Sequence, residues 1–480
     1  MSKKIIHIIH KLNLDIDVPD ERLARSMYQR AGSLLQDYVL PQLEMLLKQY
    51  DEEGIHIRLD KLDINLNADH TSSFEKMIKE QLANAIAKEL EVVIQTEKRS
   101  SDQKIKPVRK PANEHEHITE AFLWFLEHGT LPWWIADNTT FSESQEIINA
   151  ITHSEETFIP LFIKKLQTLP VMRKRLLLQF DTILLTYLFS LVVPLEIFTT
   201  ATRYEQNLAV LSEKKFGSSD KQWYWAGVWT LYPVSELLFV SSEHFQEKLD
   251  RLVEIISKQK QEQQSFRSLS ENLVETSFTP DFKNSEDIPV NEEPEAENKI
   301  DNLEIKLPET EDGVLGSNAG LVLLHPFLQY FFKELGLLNN ESFKDNASRE
   351  TAVHLLHFLA TGKEHAADFD LVFEKYLCGM SISKVTYRFT MLSEQMKIEA
   401  GTLLQSVIKH WDVLRNTSIE GLREGFLQRK GKLIVTGNNS RIVMEQNTLD
   451  ILLQKVPWNI SLLKLPWMDH LIHVEWMNQV

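Results

Sequence analysis

Few side chains in this sequence stand at a spacing that suits chemistry. His354 and His357 lie three apart, so a helix would present both imidazoles on one face, as a pair of metal ligands requires. No third ligand follows at metal spacing, and the pair flanks an apolar face, so they read as core or boundary histidines. His115 and His117, two apart in a polar stretch, also lack a third ligand. Cys378 is the single cysteine, which excludes an intramolecular disulfide and fits a reducing compartment. It sits in Tyr376-Leu377-Cys378-Gly379-Met380 with no histidine beside it, the setting of a small buried hydrophobe rather than of a nucleophile. Asp15 and Asp17 alternate on the polar side of a strand pattern and read as a solvated face. The sequence holds no Gly-rich phosphate loop, no Gly-x-Ser-x-Gly elbow and no His-Glu-x-x-His. The expectation is a protein that is not an enzyme, with no catalytic residue, no metal site and no cofactor.

What recurs instead is aromatic and punctuated by proline. Gly129-Thr130-Leu131-Pro132-Trp133-Trp134 closes one helical pattern, and Leu323-Leu324-His325-Pro326-Phe327-Leu328 opens the last third. The chain end carries Trp458, Trp467 and Trp476, although a chain end ordinarily frays in water. Two readings stand side by side. Either this tail packs back on its own domain, or its tryptophans dock on a partner, as tryptophan anchors often do. Trp133, Trp134, Trp458, Trp467 and Trp476 are therefore the candidate docking residues. Trp223, Tyr224, Trp225 and Trp229 crowd a single segment and read as core or interface, because each ring buries a large apolar area.

The elements that position these residues follow from periodicity. From Lys11 to Val18 apolar and polar residues alternate, the pattern of a half-buried strand. Asp20 then stands as an N-cap for a helix that Pro41 kinks or interrupts. A second alternating run covers Ile55 to Leu66, its phase slipping at Asp60-Lys61 as a bulge would make it. A helix over residues 73–94 completes a small β-α-β-α domain at residues 1–95. Residues 96–117 read as a basic linker; without interleaved aromatic residues they make a poor nucleic-acid patch. Residues 118–257 are helical, and the apolar stretch from Thr182 to Leu195 is too short to span a bilayer, which takes about 20 residues.

Residues 258–312 form an acidic linker, predicted to be disordered, since so polar a stretch buries too little to offset ordering entropy. From Glu271 to Asp312, 14 acidic residues stand against 3 basic ones. The whole chain of 480 residues carries a net charge of −17, which argues against general affinity for nucleic acid or anionic membrane. Residues 313–480 are mostly helical, with a hairpin near Lys432 to Met444 around Gly437-Asn438-Asn439. The fold class predicted is α+β, mainly α-helical.

One internal echo joins the two helical regions. Phe122-Leu123-Trp124-Phe125-Leu126-Glu127-His128-Gly129 parallels Leu355-Leu356-His357-Phe358-Leu359-Ala360-Thr361-Gly362, each an amphipathic helix closed by glycine. Diverged copies of one unit and a chance likeness over eight positions both account for it.

The same segments carry a family likeness. Leu14-Asp15-Ile16-Asp17-Val18-Pro19, the Gly129 to Trp134 motif, His325-Pro326-Phe327-Leu328 and His357-Phe358-Leu359-Ala360-Thr361-Gly362 come in the order seen in tape measure proteins of bacterial contractile injection systems. So do His410-Trp411, the stretch from Thr417 to Arg429, and the Pro457 to Met468 tail. The chain resembles that family nearly end to end. The resemblance implies a structural or assembly protein of a phage-tail-like particle, made in the cytoplasm and then placed in the particle lumen or baseplate. Its implied partners are the inner tube, spike or hub, and baseplate proteins, with no nucleic acid and no membrane insertion. A tape measure sets tube length by lying extended in the growing tube, whereas these patterns read as compact regions. A globular adaptor or assembly chaperone of baseplate, tube or cap is the alternative.

Overall fold

The computed structural model describes residues 20–48, 114–135, 143–211, 218–261 except 238, and 313–476 except 437–438, with isolated residues elsewhere. The alternating runs near the N-terminus, the helix over 73–94 and nearly all of both linkers lie outside the described residues. The chain divides into two compact units. One comprises Met1–Glu120 with Trp133–Asp137 and Asn149–Ser154; the other comprises Ala121–Pro132, Asn138–Ile148 and Glu155–Val480.

In the first unit α1 runs Glu21–Leu34 and α2 Leu40–Leu47, joined by a π turn at Leu35–Val39. Asp20 accepts from the backbone N–H of Arg22 at 3.1 Å, as an acidic residue ahead of a helix does. Pro41 does not end the helix. The wide turn just before it loosens the backbone where the proline lacks an N–H and crowds the preceding turn. The helix α3, Glu114–His128, starts in the first unit and ends in the second.

The second unit is helical around a small sheet, so the protein is α+β and mainly α. After α4 (Ser144–Thr152) come α5 (Glu155–Thr168), α6 (Pro170–Gln179), α7 (Thr182–Val192), α8 (Leu195–Leu211), α9 (Ser218–Thr230), α10 (Val234–Leu237) and α11 (Ser242–Gln261). Pro170 opens α6, where its missing N–H costs nothing. Asp181 caps α7 by accepting from Leu184 N–H at 3.1 Å and from Ser144 Oγ at 2.8 Å. The aromatic cluster is core: Tyr224, Trp225 and Trp229 are fully buried. Trp229 donates to Leu185 O at 3.1 Å and Tyr224 to Ala201 O at 2.7 Å, so burial leaves those polar tips satisfied. None of the described helices is long and apolar enough to cross a membrane.

From residue 313 the elements are β1 (Val314–Gly316), a 3-10 helix at Ala319–Leu324, α12 (His325–Glu334), β2 (Leu338–Asn339), β3 (Ser342–Phe343), α13 (Asn346–Thr361) and α14 (Val372–Leu377). Then follow α15 (Glu394–His410), α16 (Ile419–Leu422) with a π turn at Arg423–Leu427, β4 (Gly431–Thr436), β5 (Asn439–Met444), β6 (Leu462–Leu463) and β7 (Ile472–Glu475). The expected hairpin is β4 with β5, paired Leu433 to Ile442. The sheet order is β1-β4-β5-β7-β6, antiparallel except for the parallel pair β5 and β7. All six residues of the 3-10 helix are buried at the centre of this half. Gly320 is required there: a Cβ would lie 1.8 Å from the Phe426 carbonyl oxygen.

Candidate functional site

The best-built polar site joins two stretches far apart in sequence. Asp368 opens a short 3-10 turn, Asp368–Asp370, and is fully buried. Its carboxylate accepts from Arg175 Nε at 3.2 Å, Lys375 Nζ at 2.7 Å, Thr386 N at 3.2 Å and Thr386 Oγ1 at 2.5 Å. Arg175, on α6, also donates to Leu126 O and, at 2.6 Å, to Ser383 O. Lys375, on α14, donates to Lys384 O at 2.8 Å. Gln179, at the end of α6, takes the Asp368 N–H at 2.8 Å and donates to Thr386 O at 2.7 Å. Arg388 closes the edge, with its backbone N–H on Leu178 O and Nη1 on Gln179 O, both at 3.2 Å.

Two cations thus share one buried carboxylate. Burial pushes the pKa of both Arg175 and Lys375 down, and the Asp368 charge pushes each back up. Every oxygen and nitrogen named is spent on another group of the chain. The arrangement suits a latch between α6 and the segment 366–388, not proton transfer to a substrate.

A second buried group lies beside it. Glu374 accepts from Asn318 Nδ2 at 2.7 Å, and His357 Nδ1 stands 3.4 Å from the same oxygen. Asn318 holds the left-handed conformation at φ 64° that lets it reach inward. His354 is fully buried, and neither ring nitrogen finds a partner among the described residues. Burial, then the neighbouring His357, hold its pKa down at about 3, so it is neutral at ordinary pH. Cys378 is buried too, and burial pushes its thiol well up, away from the thiolate range. Among the described residues no group of three His, Cys, Asp or Glu side chains is placed to hold a metal ion.

The candidate tryptophans fall into two sets. Trp133 and Trp134 are half-buried in the first unit, ring to ring at 5.9 Å, with His117 6.4 Å from Trp134. The other three sit on the core of the second unit. Trp458 donates to Leu323 O at 3.1 Å and meets Phe327 edge-on at 5.2 Å. Trp467 donates to Leu377 O at 2.8 Å and packs on both Phe332 and Phe343, at 5.5 and 5.2 Å. Trp476 is 2% exposed, with the Arg429 guanidinium 5.8 Å from its ring. His115 stacks on His153 at 4.2 Å. Asp15 and Asp17 lie outside the described residues.

The scattered sequence motifs converge here. Phe327 of the histidine-proline motif touches both Trp458 of the tail and His410, and Trp411 packs on Phe426 at 4.8 Å. The family model of the contractile injection system tape measure protein matches residues 6–476, which spans all of these motifs. The chain belongs to that family of tape measure proteins. No curated protein and no solved structure matches this tape measure protein. The family role is structural, within a particle built with other proteins.

Sequence reasoning missed the latch. Its signal was present, though: Arg175 stands directly before Leu176-Leu177-Leu178, and Glu374-Lys375 interrupts Val372 to Cys378. Charges set within otherwise buried faces must be paired, because an isolated buried charge is too costly.

Proposed function

We propose that this tape measure protein works as a folded, non-enzymatic assembly protein of the particle, supporting inner-tube and baseplate construction from the cytoplasm rather than lying stretched along the tube. The observation that supports this reading is the Arg175–Asp368–Lys375 latch. It binds residues 193 positions apart in a site without solvent exposure, and drawing the chain into a rod would strand three charges. Tube, spike or hub, and baseplate proteins are the partners in this reading. Docking by the half-buried Trp133, Trp134, Trp458 and Trp467 belongs to it, while Trp476 holds the tail to its own core.

The test is particle length. Deleting Glu271 to Glu304 removes 34 residues. A chain that measures by extension would shorten particles by about 50 Å if that segment is helical, or about 110 Å if stretched. The folded-assembly reading expects an unchanged length distribution in electron micrographs, together with fewer particles when Asp368→Ala breaks the latch. A narrow distribution displaced by a fixed step would return the protein to length setting.

A further inference from the structure

The second unit holds two apolar cores, one on each side of residues 262–312. Behind that stretch the buried apolar residues from Ala319 to Trp476 form one continuous cluster, which takes no side chain from the front part among the described residues. In front of it Phe189 meets Trp225, Trp229 and Phe245 at 5.7, 5.3 and 6.5 Å. Phe122 meets Phe158 and Phe180 there at 6.1 and 5.3 Å. Each part thus buries apolar surface of its own, as a separate folded body does. The hydrogen bonds and the ring pair that join the parts lie in one patch. Phe125 and residues 175–179 form its front side, and residues 368–369 with 383–388 form its rear side.

The patch is mostly polar. Arg175 donates to Asp368 at 3.2 Å and to Ser383 O at 2.6 Å. Gln179 accepts the Asp368 N–H at 2.8 Å and donates to Thr386 O at 2.7 Å, and Arg388 reaches Leu178 O and Gln179 O. Phe369 is buried but lies outside the rear cluster: the ring it meets is Phe125, edge-on at 5.2 Å. Contacts of this kind within a chain resemble those of transient interfaces. Parting the patch leaves both sides partly satisfied, because Asp368 keeps Lys375 and Thr386 while Arg175 keeps Leu126 O. The groups released meet water, which takes their hydrogen bonds. Opening either core would instead expose its packed apolar surface. The patch therefore opens at lower cost than the cores.

We propose that this patch is a joint that parts as one body, so that the front and rear of the second unit separate there while both cores stay folded. Parting bares Phe125 and Arg175 on the front and Phe369 and Asp368 on the rear. Residues 262–312 keep the two parts on one chain. The fold thereby has a closed and an open form. The inference is independent of whether the protein measures length.

The test is native-state hydrogen exchange of the full-length chain, read residue by residue by mass spectrometry. Two backbone N–H groups report the joint: Asp368, held by Gln179 Oε1, and Arg388, held by Leu178 O. Leu188 in α7 and Leu404 in α15, both without exposure, report the two cores. The joint reporters should share one protection factor, about a hundredfold below that of either core. Phe369→Leu should speed both joint reporters about fivefold, the loss of a ring pair to which Arg388 does not belong. Ile197→Val in α8 and Ile408→Val in α15 each weaken one core mildly. Each should speed its own core reporter about fivefold and leave both joint reporters unchanged. Joint reporters that match a core in protection, or that follow either core variant, exchange only when a core unfolds, and that result overturns the proposal. A Phe369→Leu effect at Asp368 without one at Arg388 would mean piecemeal fraying and overturn it equally.

Discussion

Replacing Asp368 by asparagine tests the latch with almost no change of shape. The carboxylate accepts four hydrogen bonds, two of them from Arg175 and Lys375, in a place with no exposure. An amide keeps one acceptor oxygen and turns its NH2 toward donors. Two cations are left buried against a neutral group, and breaking a buried pair in this way costs about 3–5 kcal/mol. For a unit of this size that lowers the unfolding midpoint temperature by roughly 10 °C. Urea denaturation of the full chain followed by tryptophan fluorescence reads both sides of the latch, since Trp225 and Trp229 lie in the core of α7 and α9 and Trp411 lies in that of α15. Adding Lys375→Met to Asp368→Asn removes one stranded cation and should recover about half of the loss, the non-additivity expected of touching groups. A loss below about 1 kcal/mol for Asp368→Asn would mean solvent or relaxation absorbs the charge, and the latch argument would fall.

Further outcomes follow from the core and from α15. His354, held at about 3 against its usual 6.5, binds a proton in the unfolded chain first. Its contribution is therefore intact above pH 6.5 and is lost as pH falls toward 3, by about 1.4 kcal/mol per pH unit. His354→Leu should flatten that part of the stability profile in urea titrations, and an unchanged slope would refute the assignment. Gly320→Ala should cost more than about 4 kcal/mol or prevent soluble expression, since backbone faces the new methyl; Gly401→Ala, inside α15 with open space around it, should gain about 0.5–1 kcal/mol. Trp467→Phe should cost about 1 kcal/mol for the lost bond to Leu377 O, and Trp467→Ala about 3 kcal/mol, both read as midpoint shifts.

The sequence by itself determined what depends on neighbours in the chain. Helix ends at Gly129 and Gly362, the Asp20 start, the pairing of β4 with β5, and the mainly helical class all follow from side chains within a few residues of one another. The same local logic marked the aromatic segments as packing residues and found no catalytic pattern. Tertiary structure alone decided which distant pieces meet. That Asp368 belongs with Arg175 and that Trp458 rests on Phe327 depend on contacts across 193 and 131 positions. Periodicity carries no information over such spans. It tells that Arg175 lies on a buried face and must be paired, but the partner is chosen by how the elements pack, because a buried charge takes whichever opposite charge the fold brings within reach.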